Sequence, residues 1–252
     1  MTRRALITGA TSGIGHAFAV ELAKRGHDLV IVARTTDRLE DVATRIRAKH
    51  QVEVDVITAD LSTDAGMQAA ANALTDTTRP VDLLVNNAGA SLAGWFGTTD
   101  ITDEDRQLDL LVRAPMHLMD AAIKTMAGRG GGKIINVSSV AAFTPRGVYS
   151  AHKAWLLNIS QWADVHYDDV NIGVQALCPG FVRTEFHQRG DMDVSGVPKW
   201  MWLKADKVVQ ASLRDLARDK SVSIPSLRYK TLATLARYLP APFVTRVAKR
   251  GR

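Results

Sequence analysis

The 252-residue chain is poor in the features that mark secreted or membrane proteins. It contains one cysteine, Cys178, so an internal disulfide framework is excluded. It has no run of eighteen or more apolar residues, and we expect no membrane-spanning helix. The apolar run at residues 5–7 is too short for a signal peptide, which favours a cytoplasmic location.

Acidic residues are absent after Asp219, where eight basic residues remain. Because the whole chain has a net charge of +6, residues 1–219 carry a net charge of −2. A slightly acidic body argues against a nucleic-acid-binding surface. In residues 226–252 the basic side chains alternate with apolar ones. We predict that this segment is an amphipathic C-terminal appendage that contacts either an anionic membrane or a second subunit.

The rest of the sequence alternates short apolar runs with helical patterns. Strands are predicted at residues 5–8, 28–33, 52–58, 81–86, 133–138, 171–178 and 221–224. Helices are predicted at residues 13–25, 36–49, 64–75, 102–126, 149–167 and 204–218. Apolar strands separated by helices are typical of a parallel sheet buried on both faces. We therefore predict an α/β fold, a single Rossmann-like domain over residues 1–225 with a doubly wound parallel sheet of about seven strands.

The first predicted strand leads into a glycine-rich turn, Thr8-Gly9-Ala10-Thr11-Ser12-Gly13-Ile14-Gly15. Glycine tolerates positive φ and lets a ligand come close to the backbone. The helix that follows presents free N–H groups and the positive end of its dipole, which together bind a pyrophosphate. At a strand-to-helix junction this pattern predicts a dinucleotide site. Its residues are Gly9, Thr11, Ser12, Gly13, Ile14 and Gly15.

Further motifs follow at the predicted strand ends. In chain order they are Asp60-Leu61, Asn86-Asn87-Ala88-Gly89, Ser138-Ser139, Tyr149-Ser150-Ala151-His152-Lys153 and Pro179-Gly180-Phe181-Val182-Arg183-Thr184. With the T-G-x-x-x-G-x-G turn, they resemble the motifs of the short-chain dehydrogenase/reductase family over residues 5 to about 190. The resemblance implies a nicotinamide-dependent oxidoreductase without a metal site.

The same resemblance assigns the remaining cofactor contacts. It places Asp60 and Leu61 beside the adenine, and the residues Asn87, Ala88 and Gly89 around the ribose and the central sheet. It places Pro179, Val182 and Thr184 on the nicotinamide side. All follow predicted strands, where ligands bind in open α/β sheets. Each polar residue among them has an alternative interpretation as a turn or capping residue, Asp60 above all.

The end of the second predicted strand favours NADP over NAD. An acidic residue there would bind the ribose 2′-hydroxyl of NAD and repel a 2′-phosphate. The strand instead ends at Arg34, and Arg38 follows four residues later. A guanidinium can hold a phosphate with two hydrogen bonds. NAD is the alternative, since Asp37 could reach the ribose, and both arginines could be surface charges.

Tyr149 and Lys153 are four residues apart on a predicted helix and therefore share one face. Hydride addition to a carbonyl builds negative charge on oxygen, which requires a proton donor. We predict that Tyr149 is this general acid/base and that the Lys153 ammonium, together with a positive nicotinamide ring, lowers its pKa. By resemblance, Lys153 also holds the nicotinamide ribose, and Ser139 holds the substrate oxygen, with Ser138 as the alternative to Ser139.

One position departs from the family. Many members have a catalytic Asn in the helix after the Asn-Asn-Ala-Gly motif, and Leu111 stands at that position here. A leucine cannot hold a water molecule in a proton relay. We therefore weigh two functions. One is an NADP-dependent carbonyl reductase or secondary alcohol dehydrogenase, and the other is an NADP(H)-binding protein of low catalytic activity.

The loops expected around the substrate are apolar. Trp95, Phe96 and Phe143 lie in two of them, and residues 186–203 resemble the flap that covers the substrate in the family. This composition indicates a small to medium-sized apolar carbonyl compound or secondary alcohol as substrate. Alternatively, Trp200 and Trp202 pack against the tail or a second subunit. The resemblance also implies a homodimer or homotetramer.

Overall fold

Seven parallel strands form one sheet in the computed structural model, which describes residues 3–190 and 194–238. They are β1 (Arg4–Thr8), β2 (Asp28–Ala33), β3 (Val54–Thr58), β4 (Leu83–Asn86), β5 (Gly132–Val137), β6 (Ile172–Leu177) and β7 (Val222–Ser223). Their order across the sheet is β3-β2-β1-β4-β5-β6-β7. The predicted fold, a doubly wound parallel sheet of Rossmann type, is confirmed.

Helices connect the strands and cover both faces of the sheet. Among the described residues, the α-helices are α1 (Gly13–Lys24), α2 (Thr36–His50), α3 (Asp64–Thr75), α4 (Ile101–Leu108), α5 (Ala114–Ala127), α6 (Val148–His166), α7 (Phe186–Arg189), α8 (Ala205–Leu216) and α9 (Leu227–Tyr238). None of the helices within this part of the chain has the length and apolar character needed to cross a membrane.

The central strand shows how the sequence builds two cores. Successive side chains of a strand point to opposite faces of the sheet. Ala5 and Ile7 of β1 therefore join a buried cluster with Phe18 of α1. Leu6 points the other way and joins a second cluster with Met67 of α3. Because both faces are buried, β1 is apolar at every one of these positions.

One predicted helix is divided in the structure. The sequence predicts a continuous helix over residues 102–126, whereas a π-helical turn, Asp109–Arg113, separates α4 from α5. A π turn is a single-turn irregularity within a helix, and the apolar pattern over residues 102–126 is too short on either side to locate it. Leu111 lies at the centre of this turn and is buried.

The start of the predicted appendage is helical and packed against the rest of the molecule. Residues 227–238 form α9, in which Tyr229 and Ala233 are buried. The remaining residues of the tail, 239–252, lie outside the described residues. The domain boundary at residue 225 therefore stays a prediction.

The strand order reverses between β1 and β4, because the chain crosses from β3 at one edge of the sheet back to the middle. In sheets of this type, ligands bind at the carboxyl ends of the strands where the order reverses. The glycine-rich turn and the Asn-Asn-Ala-Gly motif both lie at this point. The topology thus places the two cofactor motifs side by side.

Candidate active site

The turn between β1 and α1 is a backbone cradle that only glycine can form. Gly9 has φ +67° and Gly13 has φ +59°, conformations that L side chains rarely adopt. A Cβ on Gly15 would lie 2.3 Å from the carbonyl oxygen of Gly9, so the first turn of α1 packs directly on the loop. The side chain of Ser12, the residue before α1, makes no capping hydrogen bond. The N–H groups at this helix end can therefore bind an anion.

Thr8 joins this turn to the end of β4. Its Oγ1 accepts hydrogen bonds from the backbone N–H groups of Asn87 and Ala88, each at 2.9 Å. The Asn87 Nδ2 donates in return to the Thr8 carbonyl oxygen at 2.8 Å. Thr8 was not among the predicted site residues. A polar residue at the end of an otherwise apolar strand is the signal that could have identified it.

The ends of β2 and β3 form the polar part of the site. Arg34, Arg38, Asp60 and Leu61 line the same cavity as the glycine turn, and Asp37 does not. The Arg38 guanidinium lies 3.1 Å from a carboxylate oxygen of Glu185, next to α7. This ion pair is about half exposed and connects α2 to the loop that follows β6.

Asp60 forms a turn as well as facing the cavity. Its Oδ1 accepts hydrogen bonds from the backbone N–H and the hydroxyl of Ser62, at 3.0 and 2.8 Å. Burial opposes the effect, but these hydrogen bonds and the positive charge of Arg34 hold the pKa of Asp60 below its ordinary value. Asp60 therefore stays ionised, and its charge partly offsets that of Arg34.

Ser139, Tyr149 and Lys153 meet at the ends of β5 and α6. Ser139 hydrogen-bonds Tyr149 and accepts a hydrogen bond from the backbone N–H of Ala141 at 3.1 Å. The Lys153 ammonium lies 5.8 Å from the centre of the Tyr149 ring. Ser138 is buried, and its hydroxyl is engaged as a donor to the Lys153 carbonyl oxygen at 2.7 Å. The geometry favours Ser139 over Ser138 as the residue that acts with Tyr149.

Burial controls the protonation of both side chains. It raises the pKa of Tyr149 to about 12, although the hydrogen bond with Ser139 acts in the opposite direction. Burial also lowers the pKa of Lys153 to about 8. The sequence predicts that the Lys153 ammonium and a positive nicotinamide ring together lower the pKa of Tyr149. In the protein without cofactor, burial raises this pKa instead. The loss of hydration depends on the fold, and the spacing of residues cannot reveal it.

Leu111 is a buried apolar residue near Lys153. A Cβ built on Gly89 would lie 3.2 Å from Leu111 Cδ2 and 3.9 Å from Lys153 Nζ. An apolar side chain therefore stands close to the lysine ammonium, whose Nζ donates a hydrogen bond to the Val137 carbonyl oxygen at 2.8 Å. This arrangement explains how Lys153 is fixed and why its charged form is destabilised.

The loop after β6 closes the opposite side of the site. Pro179, Val182 and Thr184 all line the cavity. The Thr184 methyl group lies 3.0 Å from the position of a Cβ on Gly13, so this loop packs against the glycine turn. Phe186, at the start of α7, places its ring centre 6.0 Å from that of Tyr149.

One continuous cavity of about 1210 Å³ contains almost all of the predicted residues. Those that line it are Gly9, Thr11, Ser12, Gly13, Ile14, Arg34, Arg38, Asp60, Leu61, Asn87, Ala88, Gly89, Ser139, Tyr149, Lys153, Pro179, Val182 and Thr184. Gly15 lies beneath the turn and supports it. The lining also includes apolar residues, among them Trp95, Phe96, Val194, Val197, Met201 and Leu232, and the charged residues Asp103, Glu104, Arg106 and Arg146. Tyr149 and Ser139 line the same cavity.

The tryptophans at residues 200 and 202 contact the protein itself. The Arg228 guanidinium of α9 stacks 5.6 Å from the Trp200 ring. Trp202 packs on Phe181, with ring centres 5.7 Å apart, and its Nε1 donates to the Val197 carbonyl oxygen. Contact of Trp200 with the tail was one of the two alternatives. Met192, another residue of the predicted flap, lies outside the described residues.

Known proteins resemble this chain in both sequence and structure. The sequence model of the family described as short chain dehydrogenase matches residues 3–194. A short-chain dehydrogenase from Sphingobium yanoikuyae, solved in complex with NADPH, is 35% identical, with a TM-score of 0.85 over 92% of this chain and 93% of its own. The bulky-bulky ketone specific alcohol dehydrogenase from Comamonas testosteroni is 32% identical, with a TM-score of 0.81 over 94% of this chain and 99% of its own. A Thermotoga maritima protein described as an uncharacterized oxidoreductase is 36% identical over 183 residues, which are 71% of this chain and 72% of its own.

The buried ammonium of Lys153 should make stability depend on pH. Between pH 8 and 10.5 the unfolded lysine keeps a proton that the folded lysine has lost, so the free energy of unfolding rises with pH. We expect Lys153→Met to remove this rise, which amounts to roughly 1–3 kcal/mol. Urea unfolding of wild type and Lys153→Met at pH 7 to 10 measures this rise in the free energy of unfolding.

The control for this experiment is Lys207→Met, because Lys207 is exposed on α8. This variant should keep the pH dependence of the wild-type protein. If wild type and Lys153→Met differed by the same free energy at every pH, Lys153 would not carry the predicted shift.

Proposed function

This chain belongs to the short-chain dehydrogenase family, and from that premise we propose that it is an NADP-dependent oxidoreductase that interconverts apolar ketones and secondary alcohols. The observation that carries the proposal is the position of Tyr149. Its hydroxyl is paired with Ser139, and Tyr149 lines one cavity together with the glycine turn and with apolar residues such as Trp95 and Met201. A proton donor in a cavity shared by a cofactor turn and apolar side chains can serve a reaction between a polar cofactor and an apolar substrate.

The part of the cavity beside the glycine turn fits a dinucleotide. Gly9 and Gly13 open the backbone toward it, and the N-terminal end of α1 would hold the pyrophosphate. Lys153 and Asn87 would border the nicotinamide riboside, and Arg34 would hold a 2′-phosphate. The related Sphingobium yanoikuyae enzyme, which binds NADPH, supports this choice. The bound nicotinamide would supply hydride for reduction and accept it in oxidation.

NAD is the alternative cofactor. Arg38 already pairs with Glu185, and the carboxylate of Asp60 offsets part of the charge of Arg34. Either effect would weaken the attraction for a 2′-phosphate. Asp37 is exposed in the first turn of α2 and does not line the cavity, which disfavours it as the ribose ligand. We therefore keep NADP as the proposal.

The protein residues would handle the proton. With a pKa of about 12, Tyr149 holds its proton at neutral pH and can donate it to a carbonyl oxygen as negative charge builds there. Ser139 would hold that oxygen close to the Tyr149 hydroxyl. Lys153 has a pKa of about 8 and stays mostly protonated at pH 7, so its positive charge favours the tyrosinate that remains after the transfer.

The proposed substrate is an apolar ketone with at least one large substituent. Support comes from the aromatic and aliphatic side chains in the cavity lining, among them Trp95, Phe96, Met201 and Leu232. The Comamonas testosteroni relative acts, by its description, on ketones with two bulky groups. The second candidate is an NADP(H)-binding protein of low activity, and Leu111 supports it. Leucine offers no polar group near Lys153 that could hold a water molecule in a proton relay.

The proposals on self-association and location rest on the family resemblance and on exposed apolar side chains. We propose a homodimer or homotetramer in the cytoplasm, with α4, α5 and α6 as the surface that associates. Each of these helices exposes large apolar side chains, namely Ile101, Leu108, Met116, Trp162 and Val165. Membrane contact by the C-terminal tail stays a prediction, because residues 239–252 lie outside the described residues.

Tyr149→Phe tests the proposed function. It removes the proton donor and keeps the ring, so we expect kcat for NADPH-dependent reduction of aryl ketones to fall about 10²- to 10⁴-fold. The dissociation constant of NADPH should hardly change. Tyr167→Phe is the control, since Tyr167 lies at the far end of α6 and does not line the cavity. Equal turnover by wild type and Tyr149→Phe would refute the assigned role, and NADPH binding without any turnover would favour the second candidate.

Arg34→Asp tests the cofactor. Wild type should bind NADPH at least about tenfold more tightly than NADH, a difference of roughly 1.4 kcal/mol. The substitution replaces a phosphate-binding charge with one that repels phosphate and can accept a hydrogen bond from a ribose hydroxyl, so the preference should disappear or reverse. Titration by cofactor fluorescence measures both constants, with the exposed Arg218→Asp as control. Equal binding of NADH and NADPH to wild type would identify Arg34 as a surface charge.

A further inference from the structure

One face of helix α9 lines the cavity. Tyr229, Leu232, Ala233 and Ala236 all line it, and their spacing of i, i+3, i+4 and i+7 places them on one side of the helix. Leu227 and Leu235 lie on other faces and are exposed. The helix thus forms one side of the cavity. It follows β7 in the chain and contains none of the motifs that identify the cofactor site.

Tyr229 fixes α9 to the loop that follows β6. A Cβ on Gly180 would lie 2.0 Å from the Tyr229 ring, so the ring occupies the space that glycine leaves open. The Tyr229 hydroxyl accepts a hydrogen bond from the Phe181 N–H at 3.1 Å and donates one to the Met201 carbonyl oxygen at 2.9 Å. One buried side chain therefore joins α9 to two loops of the site.

Two further contacts restrain the helix. Arg228 donates a hydrogen bond to the Trp200 carbonyl oxygen at 2.7 Å and stacks on the Trp200 ring. On its other side, α9 packs against the 3₁₀ turn Val140–Phe143, which begins directly after Ser139. The position of α9 is therefore set relative to Ser139 and to the loop after β6.

The residues that face the cavity from the later part of α9 are small. Ala233 is buried and Ala236 is partly exposed, and both present only a methyl group to the cavity. A leucine at either position would extend three carbon atoms further into the space where a large substituent could lie. Size discrimination in apolar pockets arises from such differences of a few carbon atoms.

We infer that α9, anchored by Tyr229, forms the wall that sets the size of the substrate group the site accepts, with Ala233 and Ala236 as the specificity-determining residues. The inference rests on the proposed function, because it assigns a role within the same site. It identifies the accepted substrate class as ketones with a bulky apolar substituent directed at α9.

Ala236→Leu tests the inference, with Thr234→Leu as the matched control. Thr234 is exposed on the same helix and does not line the cavity. Benzophenone serves as the bulky ketone and cyclohexanone as the small one, each with NADPH. We expect Ala236→Leu to lower kcat/KM for benzophenone about tenfold or more and to change kcat/KM for cyclohexanone less than about threefold. Thr234→Leu should resemble wild type with both ketones.

A binding measurement separates this inference from the proposed function. Calorimetric titration of benzophenone into the NADP⁺-loaded protein requires no turnover, and Ala236→Leu should weaken that binding about tenfold. If wild type binds benzophenone without reducing it and Ala236→Leu weakens the binding, the wall is supported and the proposed activity fails. Equal effects of Ala236→Leu on both ketones, or no binding of benzophenone to wild type, would overturn the inference.

Tyr229→Phe provides a second variant that keeps the ring against Gly180. It removes only the hydroxyl, so the protein should fold while Phe181 N–H and the Met201 carbonyl oxygen lose their shared partner. We expect a higher KM for benzophenone with an unchanged dissociation constant for NADPH. An unchanged KM for benzophenone would contradict the role of Tyr229 as the anchor of α9.

Discussion

The hydrogen bonds between Thr8 and the Asn87-Ala88 backbone hold β1 and β4 together where the order of the sheet reverses. Every later feature of the site depends on this junction. It supports the glycine turn on one side, and on the other it positions Gly89 against Lys153 and Leu111. Because a parallel sheet opens a crevice only where its order reverses, these few bonds determine where a dinucleotide can lie.

Burial then sets the chemistry. Tyr149 is partly buried and Lys153 is buried, and burial shifts both pKa values toward the neutral form of each group. A neutral tyrosine at pH 7 is suited to donate a proton to a carbonyl, and a lysine with a pKa of about 8 still carries most of its charge there.

Much of the fold and of the candidate site could be predicted from the sequence, and the features that could not have physical reasons. Motifs at strand ends meet because parallel strands end at the same edge, so Gly9, Ser139 and Tyr149 could be assigned from their order in the chain. The π turn around Leu111, the direction of the Tyr149 pKa and the packing of Tyr229 on Gly180 could not. The last two depend on contacts and burial created by segments that are distant in sequence, and the order of motifs does not reveal such contacts.

Transfer of deuterium tests the central claim most directly. The protein would be incubated with NADPH deuterated at the transferable position of nicotinamide C4 and a panel of aryl ketones, and the alcohols would be analysed by mass spectrometry. The account predicts one deuterium on the carbinol carbon of at least one product. If no alcohol carried deuterium although NADPH bound tightly, the site would be a binding site without hydride transfer, and the proposed activity would be wrong.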